Sequence, residues 1–204
     1  MGHIPENEST KIEILTFEEA KKKRNDSATY DIDKWIYIPD FYSDYRYILG
    51  TVGRNPLITI GINPSTASPG VLDNTLRSVE RIAHRNSYDS FIMFNVYAQR
   101  ATKPTDLDQI FNKKLHAENM KAFRWVLEHA GSKPNIWAAW GTSIEQRKYL
   151  KNCLKDMIAI GNEYDAKWIK TGKVSKKGHP HHPLYLSNNS MFDDFDMIDY
   201  LDNL

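Results

Sequence analysis

Leu57-Ile-Thr-Ile-Gly61-Ile-Asn63-Pro64-Ser65 is the stretch whose reading decides the fold. An apolar, β-branched run of this length, bounded by turn residues, reads as a buried strand. It breaks on Gly61 and closes on the polar pair Asn63-Pro64, with Ser65 and Thr66 behind. Proline directly after a strand stops the hydrogen-bond ladder, and glycine permits a close backbone approach. Asn63 is therefore expected on a rigid turn at the carboxyl end of a core strand, the edge where open α/β sheets bind ligands. An ordinary Asn-Pro turn would leave the same local signature, so the weight falls on what the rest of the chain places beside it.

Upstream, Trp35–Ile38 and Tyr45–Leu49 are short aromatic and β-branched runs separated by Pro39-Asp40, read as strands of a hairpin at the sheet edge. Tyr37, Phe41, Tyr42, Tyr45 and Tyr47 cluster there, as a stacking surface for bases or, more commonly, as packing against the sheet. Further upstream, Lys21-Lys22-Lys23-Arg24 reads as the solvated end of a short helix rather than a nucleic-acid patch.

Downstream of Asn63, a loop rich in Ser, Thr, Pro and Gly leads to Asp73, an expected N-cap for a helix with Leu76, Val79, Ile82 and Ala83 on one face and Arg77 and Arg81 on another. Phe91–Val96 is a second buried strand, with Asn95 near its end. A buried amide must find partners or it costs about 1–3 kcal/mol. Asn95 is thus bonded either to neighbouring backbone or to a ligand. Thr105 is expected to cap a helix starting near Asp106, and a longer helix over 114–129 buries Leu115, Ala122, Phe123, Val126 and Leu127 before Gly131 and Pro134 end it. Ile136–Trp140 is a third strand, followed by Gly141. Ser143-x-x-Gln146 resembles a capping box that opens a helix to about Met157. Lys167–Lys170 is a fourth strand. The loop from Lys170 to Pro183 carries four lysines and His179, His181 and His182, with no acid. Ser190 is expected to cap a terminal helix with Phe195, Ile198 and Leu201 inward.

Alternating strands and helices predict a three-layer α/β/α sandwich around a mostly parallel four-stranded sheet. No repeat or long linker divides the chain, so residues 31–204 are expected to form one domain behind an N-terminal extension, 1–30. The 204 residues suffice for a substantial core. The chain has 27 basic and 26 acidic residues and a net charge of +1, so any nucleic-acid contact must come from a local patch. Cys153 is the single cysteine, which excludes an intrachain disulfide, a multi-cysteine zinc site and a cysteine-ligated iron–sulfur cluster. No apolar run approaches the ~20 residues that span a bilayer. Met1–Thr10 is polar without a signal-peptide pattern, so a cytoplasmic protein with no membrane partner is expected.

In a parallel sheet, the ends at Asn63, Asn95 and Trp140-Gly141 converge on one edge with the histidine loop. That order of parts resembles the uracil-DNA glycosylase superfamily, in which strands end in Gly-x-(Asp/Asn)-Pro, in Asn and in Trp-Gly, and a late His-Pro-rich loop closes the site. The matching segments are Gly61-Ile62-Asn63-Pro64, Phe91-Ile-Met-Phe-Asn95, Trp137-Ala-Ala-Trp140-Gly141 and His179-Pro-His-His-Pro-Leu-Tyr-Leu-Ser187. Gly-Ile-Asn-Pro looks most like the mismatch-specific branch. A narrower resemblance, covering roughly residues 45–187, is to the family called domain of unknown function 1643. It is carried by Asn63-Pro-Ser-Thr-Ala67, Asp73-Asn-Thr-Leu-Arg77, Asn95, Arg100-Ala-Thr-Lys-Pro104 and His182-Pro-Leu-Tyr185.

Cleaving an N-glycosidic bond leaves positive charge on the sugar and negative charge on the departing base, and water must reach the anomeric carbon. The glycosylase resemblance implies that Asn63 positions that water, although unlike Asp it cannot take the proton. Asp73 either supplies a carboxylate or only caps its helix. Asn95, with a donor and an acceptor, can pair with the Watson–Crick edge of an extruded base. A histidine can donate to the base oxygen that becomes anionic. The glycosylase spacing lands on Pro180, between His179 and His181, whereas the narrower family's pattern points to His182, which is taken as the catalytic histidine. Gly61, Ile62, Pro64, Ser65, Thr66, Tyr97, Arg77, Arg100, Trp140, Gly141 and His179 complete the expected substrate shell, with Arg77, Arg100 and the loop lysines as phosphate holders. No metal or other cofactor is expected. The expected activity is cleavage of a modified pyrimidine from DNA. The alternatives are a same-fold enzyme acting on a free nucleotide or nucleoside, or a non-catalytic module that binds a base or a protein.

Overall fold

The computed structural model describes residues 13–23, 25 and 28–204. Its strands are β1 (Trp35–Ile38), β2 (Ile48–Thr51), β3 (Pro56–Gly61), β4 (Ser90–Asn95), β5 (Asn135–Ala138), β6 (Lys167–Thr171) and β7 (Phe192–Asp194). Its α-helices are α1 (Phe17–Lys22), α2 (Asn74–Arg85), α3 (Lys113–His129), α4 (Lys148–Glu163) and α5 (Met197–Asp202). The strands form one mixed seven-stranded sheet in the order β1-β2-β4-β3-β5-β6-β7. The four expected strands are its parallel centre, β4-β3-β5-β6. The hairpin read at the sheet edge is present, its second strand lying at Ile48–Thr51 rather than Tyr45–Leu49, whereas β7 was not expected, so the sheet is wider than the four-stranded one expected. Antiparallel pairing adds the β1–β2 hairpin along β4 and β7 along β6, using ladder groups that a four-stranded sheet would leave open at both edges.

Strict alternation sorts the central strands onto two faces. Ile58, Ile60, Ile92, Phe94, Ile136 and Ala138 pack in a core with residues of α1, α3, α4 and α5. Leu57, Phe91, Met93 and Trp137 face the other way and pack beneath Leu76, Val79, Ile82 and Ala83 of α2. Helices therefore cover both faces. The chain leaves β3 for α2 on one face and leaves β5 for α4 on the other. The carboxyl ends of these adjacent strands thus diverge and open a crevice between them.

Three expected helix starts are corrected, each for a visible reason. Pro104–Asp106 is a single 3₁₀ turn and α3 starts at Lys113, capped by the Asn112 side chain on Leu115 N at 3.1 Å. The intervening carbonyls are claimed by Arg147, whose guanidinium takes those of Thr105, Leu107 and Asp108. That same residue occupies the N-cap of α4, so Ser143-x-x-Gln146 lies instead in a 3₁₀ turn over Gly141–Glu145. Residues after Ser190 pair as β7 before Asp196 caps α5, which buries Met197 and Tyr200 and leaves Ile198 77% exposed.

At the other end, α1 buries Phe17 and Ala20, and the Phe17 N–H donates to Glu118 Oε2 of α3 at 2.8 Å. Lys21 of the basic run pairs with Glu18 at 3.0 Å, while Arg24 lies outside the described residues. Among the described residues no helix is long and apolar enough to cross a membrane.

Cys153 is 1% exposed inside α4, and burial pushes its thiol up to about 12. The native protein is expected to resist iodoacetamide at pH 8 and to take up one equivalent after unfolding, as read by intact mass. Rapid alkylation of the native protein would show that α4 opens locally.

Candidate functional site

The crevice beyond β3 and β5 is a cleft of about 600 Å³. Its floor is the end of β3. Asn63 leaves the strand with its amide nitrogen donating to the carbonyls of Ala101 at 2.8 Å and Pro64 at 3.0 Å. The Ala101 N–H returns to the Pro64 carbonyl at 2.9 Å, so the turn is tied from both sides. With both amide hydrogens engaged, Asn63 presents only Oδ1 as a free atom, an acceptor suited to holding water.

Asn95 aligns with Gly61 across the parallel β3–β4 pair. It is 1% exposed, yet neither Nδ2 nor Oδ1 has a hydrogen-bond partner. Its backbone carbonyl is held separately by Asn119 Nδ2 at 3.0 Å. A methyl group built on Gly61 would stand 3.1 Å from Asn95 Oδ1 and 2.5 Å from Met93 Cε. Gly61 lines the cleft, so this glycine is what lets the open amide lie directly beside it. An unmade pair of buried hydrogen-bonding groups is costly, and this pair lies behind the cleft lining at Gly61 rather than on it.

Asp73 lines the opposite wall as the N-cap of α2, with Oδ1 accepting from Leu76 N at 2.9 Å. Oδ2 takes no part in that bond. Capping and a role in the cleft are therefore compatible.

The histidine loop closes the third side, and Gly141 sets its distance. This residue adopts φ +61°, and a methyl group on it would come within 3.3 Å of His182 Cβ. His182 is half-buried on the cleft wall, where Nδ1 accepts from Leu184 N at 3.3 Å. That bond assigns the ring proton to Nε2 in the neutral form. Burial lowers the pKa of His182 below its ordinary 6.5, with Asp73 pulling weakly the other way.

Trp140 and His179 brace this arrangement from behind and do not line the cleft. Trp140 Nε1 donates to the Tyr200 hydroxyl at 2.9 Å, and His179 Nδ1 lies 2.9 Å from the same oxygen. Two of the four loop lysines are engaged elsewhere, Lys177 with Glu145 at 2.6 Å and Lys170 with Asp193 at 3.8 Å. The acids missing from the loop come from other elements. Leu184 and Tyr185, 42% and 82% exposed, form an apolar rim.

Of the sequence-predicted residues, Gly61, Ile62, Asn63, Ser65, Asp73, Gly141 and His182 line one cleft, with Asn95 directly beside Gly61. Pro64 is buried in the turn, and Thr66 is exposed outside the lining. Arg77 is exposed on α2, away from the lining. Tyr97 is fully buried on the α3–α4 face, where its hydroxyl accepts from Asn112 N at 3.0 Å. Arg100 is buried behind the loop, donating to the carbonyls of Ser65 and Ala67. Sequence reading missed Arg46, which lines the cleft between two core tyrosines. Its alternation with Tyr45 and Tyr47 was the available signal.

Fold and site together define a mixed α/β protein with a cleft at a topological switch point. Residues 46–184 match the family described as "Protein of unknown function (DUF1643)", and the chain belongs to that family. No curated protein and no solved structure matches it.

Proposed function

We propose that this protein hydrolyses the N-glycosidic bond of a nucleoside unit, seating the base against Asn95, in the manner of a DNA glycosylase-like enzyme with a uracil-DNA glycosylase-like fold. The observation that carries the reading is the Asn95 carboxamide, buried with donor and acceptor both open beside a cleft-lining glycine. One donor and one acceptor side by side are what a pyrimidine edge pairs with. The C1′–N bond breaks with its electron pair leaving on the base, and His182 Nε2–H donates to the base oxygen that gains the charge. Water held on Asn63 Oδ1 adds to C1′ and gives its proton to Asp73. Asp73 thus supplies the carboxylate that Asn63 lacks, and its charge favours the cationic sugar. In a polynucleotide, the exposed Leu184 and Tyr185 at the rim suit the gap left by an extruded base.

A free nucleotide is the second substrate reading. Net charge is +1, and two of the loop lysines are paired with acids, which leaves less charge at the rim to hold a polyanion. The test is a screen for free base released from oligonucleotides, nucleotides and nucleosides bearing unmodified and modified pyrimidines, read by liquid chromatography. Release from one class is expected. No release, together with no shift of Tm by any of these compounds, would sink both enzyme readings.

A further inference from the structure

Two arginines hold the Ser65–Ala67 loop by its carbonyls. Arg46 and Arg100 are each 1% exposed. Arg46 Nη1 donates to the Ala67 carbonyl at 3.1 Å, and Arg100 Nη1 reaches the same oxygen at 3.3 Å. Arg100 is the more fully engaged of the two, although its Nε, like that of Arg46, has no partner. It donates to the Ser65 carbonyl and to the Tyr37 hydroxyl at 2.9 Å, and its guanidinium stacks 4.3 Å from the Tyr42 ring centroid. The Arg46 guanidinium is less engaged: among the described residues it makes one hydrogen bond, to the Ala67 carbonyl, its Nε has no partner, and it lines the cleft.

Two buried guanidinium groups sharing one carbonyl repel each other, and neither has a carboxylate within ion-pair distance among the described residues. Burial is the largest influence on Arg46 and Arg100 the second, and together they bring it down to about 9. Asp73 pulls the other way but more weakly. Buried charge without a counter-ion is unfavourable, and a planar fork with open N–H groups is the geometry that takes a phosphoryl group. The neighbouring wall is suited to the same ligand. Ser65, Asn74 and Thr75 line the cleft there, the last two in the first turn of the twelve-residue α2, where helix N–H groups are free to take an anion.

We propose that Arg46, backed by Arg100, is a phosphate subsite of the cleft, so that the base at Asn95 is presented on a phosphorylated nucleoside. The ligand chemistry is a phosphoryl oxygen, carried either by a nucleoside monophosphate or by a polynucleotide backbone. This rests on the base-binding reading for the identity of the rest of the ligand, but not for the anion itself.

The experiment measures binding of inorganic phosphate, a pyrimidine nucleoside, its 5′- and 3′-monophosphates and a short oligonucleotide to the wild type, Arg46→Met and Arg46→Lys by calorimetry. A monophosphate or the oligonucleotide is expected to bind at least about tenfold more tightly than the nucleoside, in line with a charge-assisted contact. In Arg46→Met that ratio falls to about one while nucleoside affinity is kept, which also shows that the variant is folded. Arg46→Lys, with charge but no fork, keeps part of the ratio. If Arg46→Met does not fold, the Arg46→Lys ratio decides. A preference for the monophosphate assigns a terminal phosphate, and a preference for the oligonucleotide assigns a diester. A wild-type ratio near one, or a ratio untouched in both variants, overturns the subsite. Arg46-dependent binding of inorganic phosphate with no gain from any base would leave the subsite standing and remove the base-binding reading instead.

Discussion

Asn95→Ala is expected to lower base release by about 10²- to 10³-fold while leaving the fold as stable as before or slightly more so. The two halves of that result come from one observation. The carboxamide is buried with both atoms unpartnered, so the folded protein alone gains nothing from its polarity. An unsatisfied buried polar group costs about 1–3 kcal/mol, which its removal returns, offset by the small cavity that alanine leaves. A change of 1 kcal/mol moves Tm by about 2–4 °C in a chain of this size. Tm should therefore hold or rise by that order, and the Asn119 bond survives because it goes to the backbone carbonyl. Substrate suffers the opposite effect, since a bound base would lose both partners for its edge. Sites built on such pairing discriminate strongly against a missing partner. Asn95→Asp replaces the donor with an acceptor and is expected to shift the preferred base rather than merely weaken binding. Loss of activity accompanied by a fall in Tm of more than about 5 °C, well beyond a 1 kcal/mol effect, would return Asn95 to a structural role.

The same residue shows what could be read in advance. Asn95 and Asn63 stood out because each ends a continuous apolar run, and a polar residue there has few explanations besides a turn or a ligand. The parallel centre of the sheet was legible through its continuous apolar runs, and the buried faces of α2 and α3 through helical periodicity. What was hidden depends on partners far away in sequence. Arg147 decides where α3 and α4 begin by collecting carbonyls some forty positions upstream. Phe192–Asp194 has no alternation of its own and becomes a strand through its ladder to β6, with Phe192 packed 5.2 Å from the Trp137 ring. His179 and His182 look equivalent in the chain. Tyr200, from the terminal helix, binds the first and takes it out of the cleft, whereas the second meets Gly141 and stays on the wall. Arg46 sat in an aromatic strand-like run, and only the alternation of side chains betrayed that it faced away from the core.

His182 gives the second large effect, a pH dependence whose sign follows from its surroundings. Burial lowers its pKa below 6.5, and Leu184 N bonded to Nδ1 leaves the neutral ring with its proton on Nε2. In the proposed reaction the neutral imidazole is therefore the donor to the departing base. Base release is expected to be flat above pH 6.5 and to fall below it, as protonation claims Nδ1 and loosens the loop. A cationic histidine acid would give the reverse, with activity rising toward low pH. Stability follows the same direction. Between the folded pKa and the unfolded value of 6.5, the unfolded chain binds more protons. The contribution of His182 is thus complete above pH 6.5 and lost as pH falls toward the folded pKa. His182→Gln keeps an N–H donor without a titration. It is expected to lose about 10²-fold in base release, within the usual range for a positioned proton donor, and to lose the acid limb assigned to His182 with it. Gly141→Ala reaches the ring indirectly. At φ +61° the added methyl costs about 1–2 kcal/mol of left-handed strain and presses on His182 Cβ. It should lower base release and shift the acid limb, whereas Gly131→Ala, whose methyl would meet nothing within 4 Å, should shift stability alone. An acid limb that persists unchanged in His182→Gln would assign the titration to another group and take this histidine out of the chemistry.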